Sequence, residues 1–317
     1  MPKAKSGQSP FVFSHSDDLR SVPQQALQFE AQLHGSFAVD KRAGFGQVFY
    51  GMPGLGLLRA SADLTTQDLI TLPAELTPVN FHSTKIGEFE GKTRLFLAAE
   101  SKEMVAVVTL DGDVEFTLSK PEFEEYQSDA AKYLPTDTTL AGNTLYIADG
   151  YGSNYISKAD VTTRQWTGIF GGKSDADHHH GFGTAHGISV SPARDHLVVA
   201  DRSNSRLEHY GFDGQYQATH GLPAGSRPCG IDFTQIAGKN CAVVGSLDDP
   251  QPGRPAPIYI LDGDTFEVLS TIRPKEDLGL EKVDHLHNVV WHHFAGRTFL
   301  VCQSWNPGFF FVLEHLA

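Results

Sequence analysis

Three histidines, His82, His186 and His287, stand 104 and 101 residues apart. Each lies near the start of a short apolar run: FHSTKIGEF, AHGISV and LHNVVW. If the chain repeats every 50 residues or so, each separation is two repeats. In a closed ring of six repeats, alternate members lie about 120° apart, so three equivalent side chains converge on the axis. Three neutral imidazoles at one point suit Zn²⁺ and leave one coordination position for water or substrate, as in catalytic zinc sites. Fe²⁺, Mn²⁺ and Cu²⁺ also accept imidazole, so the ion is a divalent transition metal with zinc as first choice. A single histidine at a strand start is more often a hydrogen-bonded structural residue; the threefold coincidence carries the metal reading. His285, two residues before His287 on the same strand face, is its rival.

The elements that must position these residues are strands. Short apolar runs alternate with turn residues: TRLFLAAE, MVAVVTLDGDVEFTL, NTLYIADG, DHLVVADR, APIYILDGDTFEVLSTI and RTFLVCQS. Several contain Asp-Gly, a strong hairpin signal. Residues 134–160 overlay 184–214: an inner strand, a turn, a strand ending in Ala-Asp, a polar loop and another strand. Weaker copies begin near residues 79, 227 and 286, and a first copy fits 35–51. Six units of roughly 40–55 residues predict an all-β, six-bladed β-propeller. A sandwich or a solenoid explains the repeat length less well. The single helical candidate is Val22–Leu33, which reads equally as an extended lead-in. No linker interrupts the chain, so residues 1–317 are expected to form one domain, with 1–34 as an N-terminal lead-in or closure segment.

Composition narrows the partners. The net charge of −13 repels a phosphate backbone, so nucleic acid is not an expected ligand. Three cysteines, Cys229, Cys241 and Cys302, with no C-x-x-C spacing argue against a disulfide framework. The N-terminal residues lack an apolar h-region and no 18-residue apolar stretch occurs, so neither a secretory signal nor a membrane span is expected. The expectation is a cytoplasmic protein acting on a small molecule. The DHHH run at 177–180 sits in a Gly-rich loop and is either an exposed loop or part of the mouth of the site.

The motifs ADGYGSNYI (148–156), TAHGISVSP (184–192), VVADRSNSRLEHY (198–210) and LHNVVW (286–291) resemble NHL-type repeats, and more narrowly the peptidyl-α-hydroxyglycine α-amidating lyases. The resemblance covers roughly residues 79–304 and is densest at 134–210. It implies that His82, His186 and His287 hold a zinc ion, that Tyr151 is the base, and that Arg202 lines the site. The implied reaction splits a carbinolamide, an N–C–OH unit, into an amide and an aldehyde such as glyoxylate. Zn²⁺ would polarise the carbinol oxygen, and a phenol could act as base if the metal and a cation favour its phenolate. Arg202 could supply that cation or clamp a carboxylate; equally, it could only pair with Asp201 or Asp149.

The chain also departs from the pattern. Gly152, Val198 and His209 stand where that family has disulfide cysteines. A second site arginine is missing from VFYGMPG (48–54), which implies a different substrate. Asn288 replaces the acidic residue associated with a structural Ca²⁺, which puts calcium in doubt. Two other readings stay open: a non-catalytic NHL-type binding propeller, and a lactonase-like hydrolase using Ca²⁺, for which Asp137 and Asn288 would be ligands.

Overall fold

A computed structural model describes residues 3–128 and 130–316. The second strand of each repeat is apolar at nearly every position, and the fold explains why. In NTLYIADG, Leu145 and Ile147 pack against one neighbouring sheet, while Tyr146 and Ala148 pack against the other. In DHLVVADR, Leu197 and Val199 face backward, and Val198 and Ala200 face forward. Such strands lie between two sheets, so side chains pointing to either face are buried. Each fully buried aliphatic side chain stabilises the fold by about 1.5–3 kcal/mol.

Six antiparallel sheets result, arranged as a six-bladed β-propeller. Each of the six interfaces between consecutive blades has its own apolar cluster. The first strands are Phe37–Val39, Ser83–Phe89, Asp137–Ala141, Ala185–Val190, Asp232–Ile236 and His285–Phe294. They gather around the axis, first strand against first strand. Blades 1 to 5 are four-stranded meanders. The Asp-Gly pairs at 111–112, 213–214 and 262–263 turn the third strand into the fourth, and Gly112 and Gly214 take φ of 96° and 91°, a region that favours glycine.

Blade 6 is built from both ends of the chain. Its strands run His285–Phe294, Arg297–Trp305 and Phe309–Leu316, followed by Phe11–His15 and Ser6–Gln8. Val12 lies opposite Leu316, and His15 opposite Leu313. The stretch Val22–Leu33 is not one helix. It holds a single helical turn, Gln24–Leu27, and a 3₁₀ turn, Glu30–Gln32. Val22, Ala26 and Leu33 are buried in the cluster between blades 6 and 1, which needs an irregular path rather than a regular helical stripe.

Side-chain hydrogen bonds join five of the six neighbouring pairs of blades near the axis. The Ser36 hydroxyl lies 3.1 Å from that of Ser83, and the Ser83 hydroxyl donates to Asp137. Asp137 accepts from the Ile188 N–H at 2.9 Å, Asp232 from the Trp291 N–H at 2.8 Å, and Asn288 from the Phe37 N–H at 3.3 Å. The lysine of Lys85 reaches Asp137 at 3.2 Å. The oxygens of Asp137 and Asn288 therefore join neighbouring blades. Cys229, Cys241 and Cys302 are buried free thiols. Among the described residues, no helix is long and apolar enough to cross a membrane.

Candidate metal centre

Local irregularity turns the three histidines toward the axis. The pairing register shifts between Ala185 and Gly187 and between Leu286 and Asn288, so His186 and His287 each sit at a bulge. At His82, its own N–H bonds to the Ala98 carbonyl while Ser83 is the paired residue. Bulges re-aim a side chain in this way, often beside functional sites.

The three imidazoles meet. Ring centroids are 4.7 Å apart for His82–His186, 4.7 Å for His82–His287 and 5.1 Å for His186–His287. All three rings are buried. Each gives its Nδ1 to a backbone carbonyl of the following blade: His82 to Thr136 at 2.6 Å, His186 to Cys229, and His287 to Gly35 at 2.8 Å. A carbonyl only accepts, so the proton is on Nδ1 and the lone pair on Nε2. Histidines thus stand on blades 2, 4 and 6, and their carbonyl partners on blades 3, 5 and 1. The same arrangement orients metal-ligating histidines in general. Burial drives all three well below the ordinary imidazole pKa, and the Arg202 charge lowers them further, so they are neutral.

Close backbone approach makes this ring possible. A Cβ on Gly187 would stand 2.5 Å from the Cα of Gly230, and one on Gly35 would stand 2.5 Å from the Phe81 carbonyl oxygen.

The Nε2 atoms of His82 and His287 are 3.1 Å apart. Two arms of about 2.0 Å at a tetrahedral ion subtend about 3.3 Å. The His82–His287 pair therefore has the spacing of two ligands on a transition metal, while His186 is outside the group of ring nitrogens within 4.8 Å of one another, which His34 completes. His186 Nε2 accepts the Tyr151 hydroxyl at 3.1 Å. Tyr151 lies in the loop after the second strand of blade 3. Asp149 fixes that loop, accepting from the Leu134 and Ser153 N–H groups and from the Tyr126 hydroxyl at 2.5, 2.7 and 2.8 Å. A Cβ on Gly152 would clash with Asp149 at 2.1 Å.

Arg202 opens the equivalent loop of blade 4 and is 5% exposed. Its Nη1 donates to the Tyr151 oxygen at 3.0 Å and its Nη2 to the Cys229 sulfur at 3.5 Å, while its Nε has no partner. It pairs with neither Asp201 nor Asp149. Asp201 is taken by Arg206 and by the N–H groups of Gly183 and Thr184. Burial raises the Tyr151 pKa and Arg202 only opposes that rise, so the cation alone leaves the phenol protonated. Glu100 holds in blade 2 the place of Arg202 in blade 4; burial raises its carboxyl pKa and Arg202 lowers it.

The sequence reading missed a fourth imidazole. His34, in the lead-in, packs 4.4 Å from the His287 ring, 4.8 Å from His82 and 5.5 Å from Trp305. One ring nitrogen each of His34, His82 and His287 lies within 4.8 Å of the others. No sequence signal marked it: His34 precedes Gly35, whose place in the ring of carbonyls only the structure reveals.

The other candidates lie apart. His285 bonds Asp248 at 3.0 Å and the Leu247 carbonyl at 3.1 Å, away from the three-histidine cluster. His178 bonds Asp175, and His179 faces Thr219 and Glu208 on outer strands of blade 4. His209 bridges His196 and His220, each at 2.9 Å. A cavity of about 670 Å³ opens among the far ends of the inner strands, lined by Lys41, Lys85, Arg194 and Leu140 among others. None of His82, His186, His287, Tyr151 or Arg202 lines it, and its Lys41 and Lys85 are paired with Asp232 and Asp137.

No family model and no curated protein matches this chain. Solved structures do. A streptogramin B lyase matches over 95% of this chain and 97% of its own, at 12% identity and a TM-score of 0.58. A putative gluconolactonase matches over 84% of each chain, at 14% identity and a TM-score of 0.56. The chain also spans 53% of a Kuenenia stuttgartiensis hydrazine synthase chain, with 68% of its own length, 14% identity and a TM-score of 0.48. The first two likenesses, with the six sheets, make the chain a β-propeller whose structural neighbours include enzymes.

Proposed function

We propose that the protein is a metal-dependent lyase, with zinc as the ion, acting on a small carbinol-type substrate that carries a carboxylate. The observation that carries this reading is the shared tautomer of His82, His186 and His287. Three neutral, buried imidazoles each keep a lone pair on Nε2: those of His82 and His287 face each other at 3.1 Å, and that of His186 accepts from Tyr151, whose oxygen Arg202 also bonds. Those residues would hold the ion, and a bound Zn²⁺ would polarise an alcohol oxygen and lower its pKa.

The remaining groups have distinct tasks. With His186 Nε2 given to an ion, the Tyr151 hydroxyl loses its acceptor and becomes available to a substrate atom. The Arg202 Nε–H, buried and unpartnered, suits a carboxylate oxygen. A carbinolamide such as an N-acyl-α-hydroxyglycine offers both the hydroxyl and the carboxylate. The likeness to a lyase and a gluconolactonase agrees with an enzyme, and a lactonase-like hydrolase would use the same polarising ion. The calcium version is weaker, because Asp137 and Asn288 already bond neighbouring blades.

The test is glyoxylate release from N-acetyl-α-hydroxyglycine by zinc-loaded protein. The reading expects turnover that falls by roughly 10²-fold or more in Tyr151→Phe. No turnover of any carbinolamide or lactone by protein containing metal would leave a binding propeller as the better account.

A further inference from the structure

His34 differs from the other three imidazoles in the direction of its hydrogen bond. Their Nδ1 atoms donate to carbonyls; His34 Nδ1 instead accepts from the Asn80 side-chain amide at 3.3 Å. The neutral His34 ring therefore carries its proton on Nε2, the reverse tautomer. A protonated nitrogen is not a metal ligand. The ring that carries this donor packs against His82 and His287, and it lies 6.4 Å from that of Tyr151 and nearly parallel to it, at 15°.

The backbone under His34 is fixed. The Gly35 carbonyl takes the His287 proton. Leu33 is buried between blades 6 and 1, and the Ala31 carbonyl accepts from the Gly308 N–H at 3.0 Å. A loosely attached lead-in would give no defined place to this ring; this one is bonded on both sides.

We infer that His34 is a substrate-contacting residue, not a fourth ligand: its Nε2–H donates a hydrogen bond to the substrate oxygen at the three-histidine centre. This rests on the metal reading above, and it makes the closing segment of the propeller part of the site. Two histidine tautomers then divide the work, with lone pairs for the ion and one N–H for the oxygen beside it.

The test uses the full chain, Co²⁺ and glycolate, a small molecule with a hydroxyl next to a carboxylate. Metal affinity is measured by competition with a chelator, and glycolate affinity by the visible spectrum of the Co²⁺ protein. His34→Ala is expected to keep metal affinity within about threefold and to weaken glycolate about tenfold, the order of one hydrogen bond. Asn80→Asp offers an acceptor in place of the amide donor, reverses the His34 tautomer, and is expected to tighten metal binding at least tenfold as His34 becomes a ligand. Loss of metal in His34→Ala as severe as in His82→Ala, or unchanged glycolate affinity, or unchanged metal affinity in Asn80→Asp, overturns the inference. Wild-type protein that takes up no metal overturns instead the reading on which it rests.

Discussion

The Nε2 atoms of His82 and His287 face each other at 3.1 Å, and both are acceptors because both Nδ1 protons go to carbonyls. Two buried lone pairs at that distance repel unless a cation lies between them. Burial resists protonation of either ring, so a proton is a poor substitute for a metal ion. Saturating Zn²⁺ is therefore expected to stabilise wild-type protein by about 2.7 kcal/mol at a hundredfold excess over Kd. His287→Ala should melt at the same temperature with zinc as with a chelator. Calorimetric scans under both conditions check this.

Gly35 supplies the carbonyl for His287 where a side chain would meet the Phe81 carbonyl oxygen at 2.5 Å. Gly35→Ala is expected to cost about 1–3 kcal/mol through the forced backbone shift. It should also weaken metal binding about 10–100-fold, because the partner that orients His287 moves. Denaturant melts of chelated protein read the first effect, and metal competition reads the second.

Arg202 is buried with its Nε without a partner, while Nη1 bonds Tyr151 and Nη2 bonds Cys229. A lysine cannot reproduce that planar fork. Arg202→Lys is expected to lower kcat/KM for a carboxylate-bearing carbinolamide by roughly 10²-fold, the worth of a charge-assisted hydrogen bond lost with its geometry. A substrate lacking the carboxylate should lose far less. Steady-state kinetics on the matched pair of substrates separates the two.

Asp149 holds the Tyr151 loop, and burial raises its carboxyl to about 6. A folded pKa above the unfolded value favours the protonated form in the fold. Its contribution to stability is complete below pH ~4 and is lost as pH rises through ~6, a change on the order of 3 kcal/mol. Asp149→Asn cannot titrate, so its stability should fall less steeply than that of wild type between pH 4 and 7. Urea melts across that range measure the difference in slope.

The fold was legible because blade strands are buried on both faces. That turns NTLYIA and DHLVVA into continuous apolar runs, and Asp-Gly turns repeat at the blade edges. The approach of the three axial imidazole rings was legible from spacing together with the register of the repeats, since equivalent positions on alternate blades of a closed ring converge. The hydrogen-bond direction that sets their tautomer was not, because it depends on backbone carbonyls one blade away. His34 was hidden for a different reason. Its blade carries Gly35 at the ring position, so the imidazole enters from one residue earlier, outside the repeat. Arg202 could be read as either a site residue or an ion-pair partner of Asp201; only the packing of Arg206 against Asp201 separates the two.

Metal content measured by mass spectrometry on untagged protein, wild type beside His186→Ala, tests the central claim most directly. The account predicts about one transition-metal ion per wild-type chain and its loss in the variant. Wild-type protein that holds no stoichiometric metal after supplementation, while remaining folded, would contradict it and leave a propeller whose axial histidines serve only to join its blades.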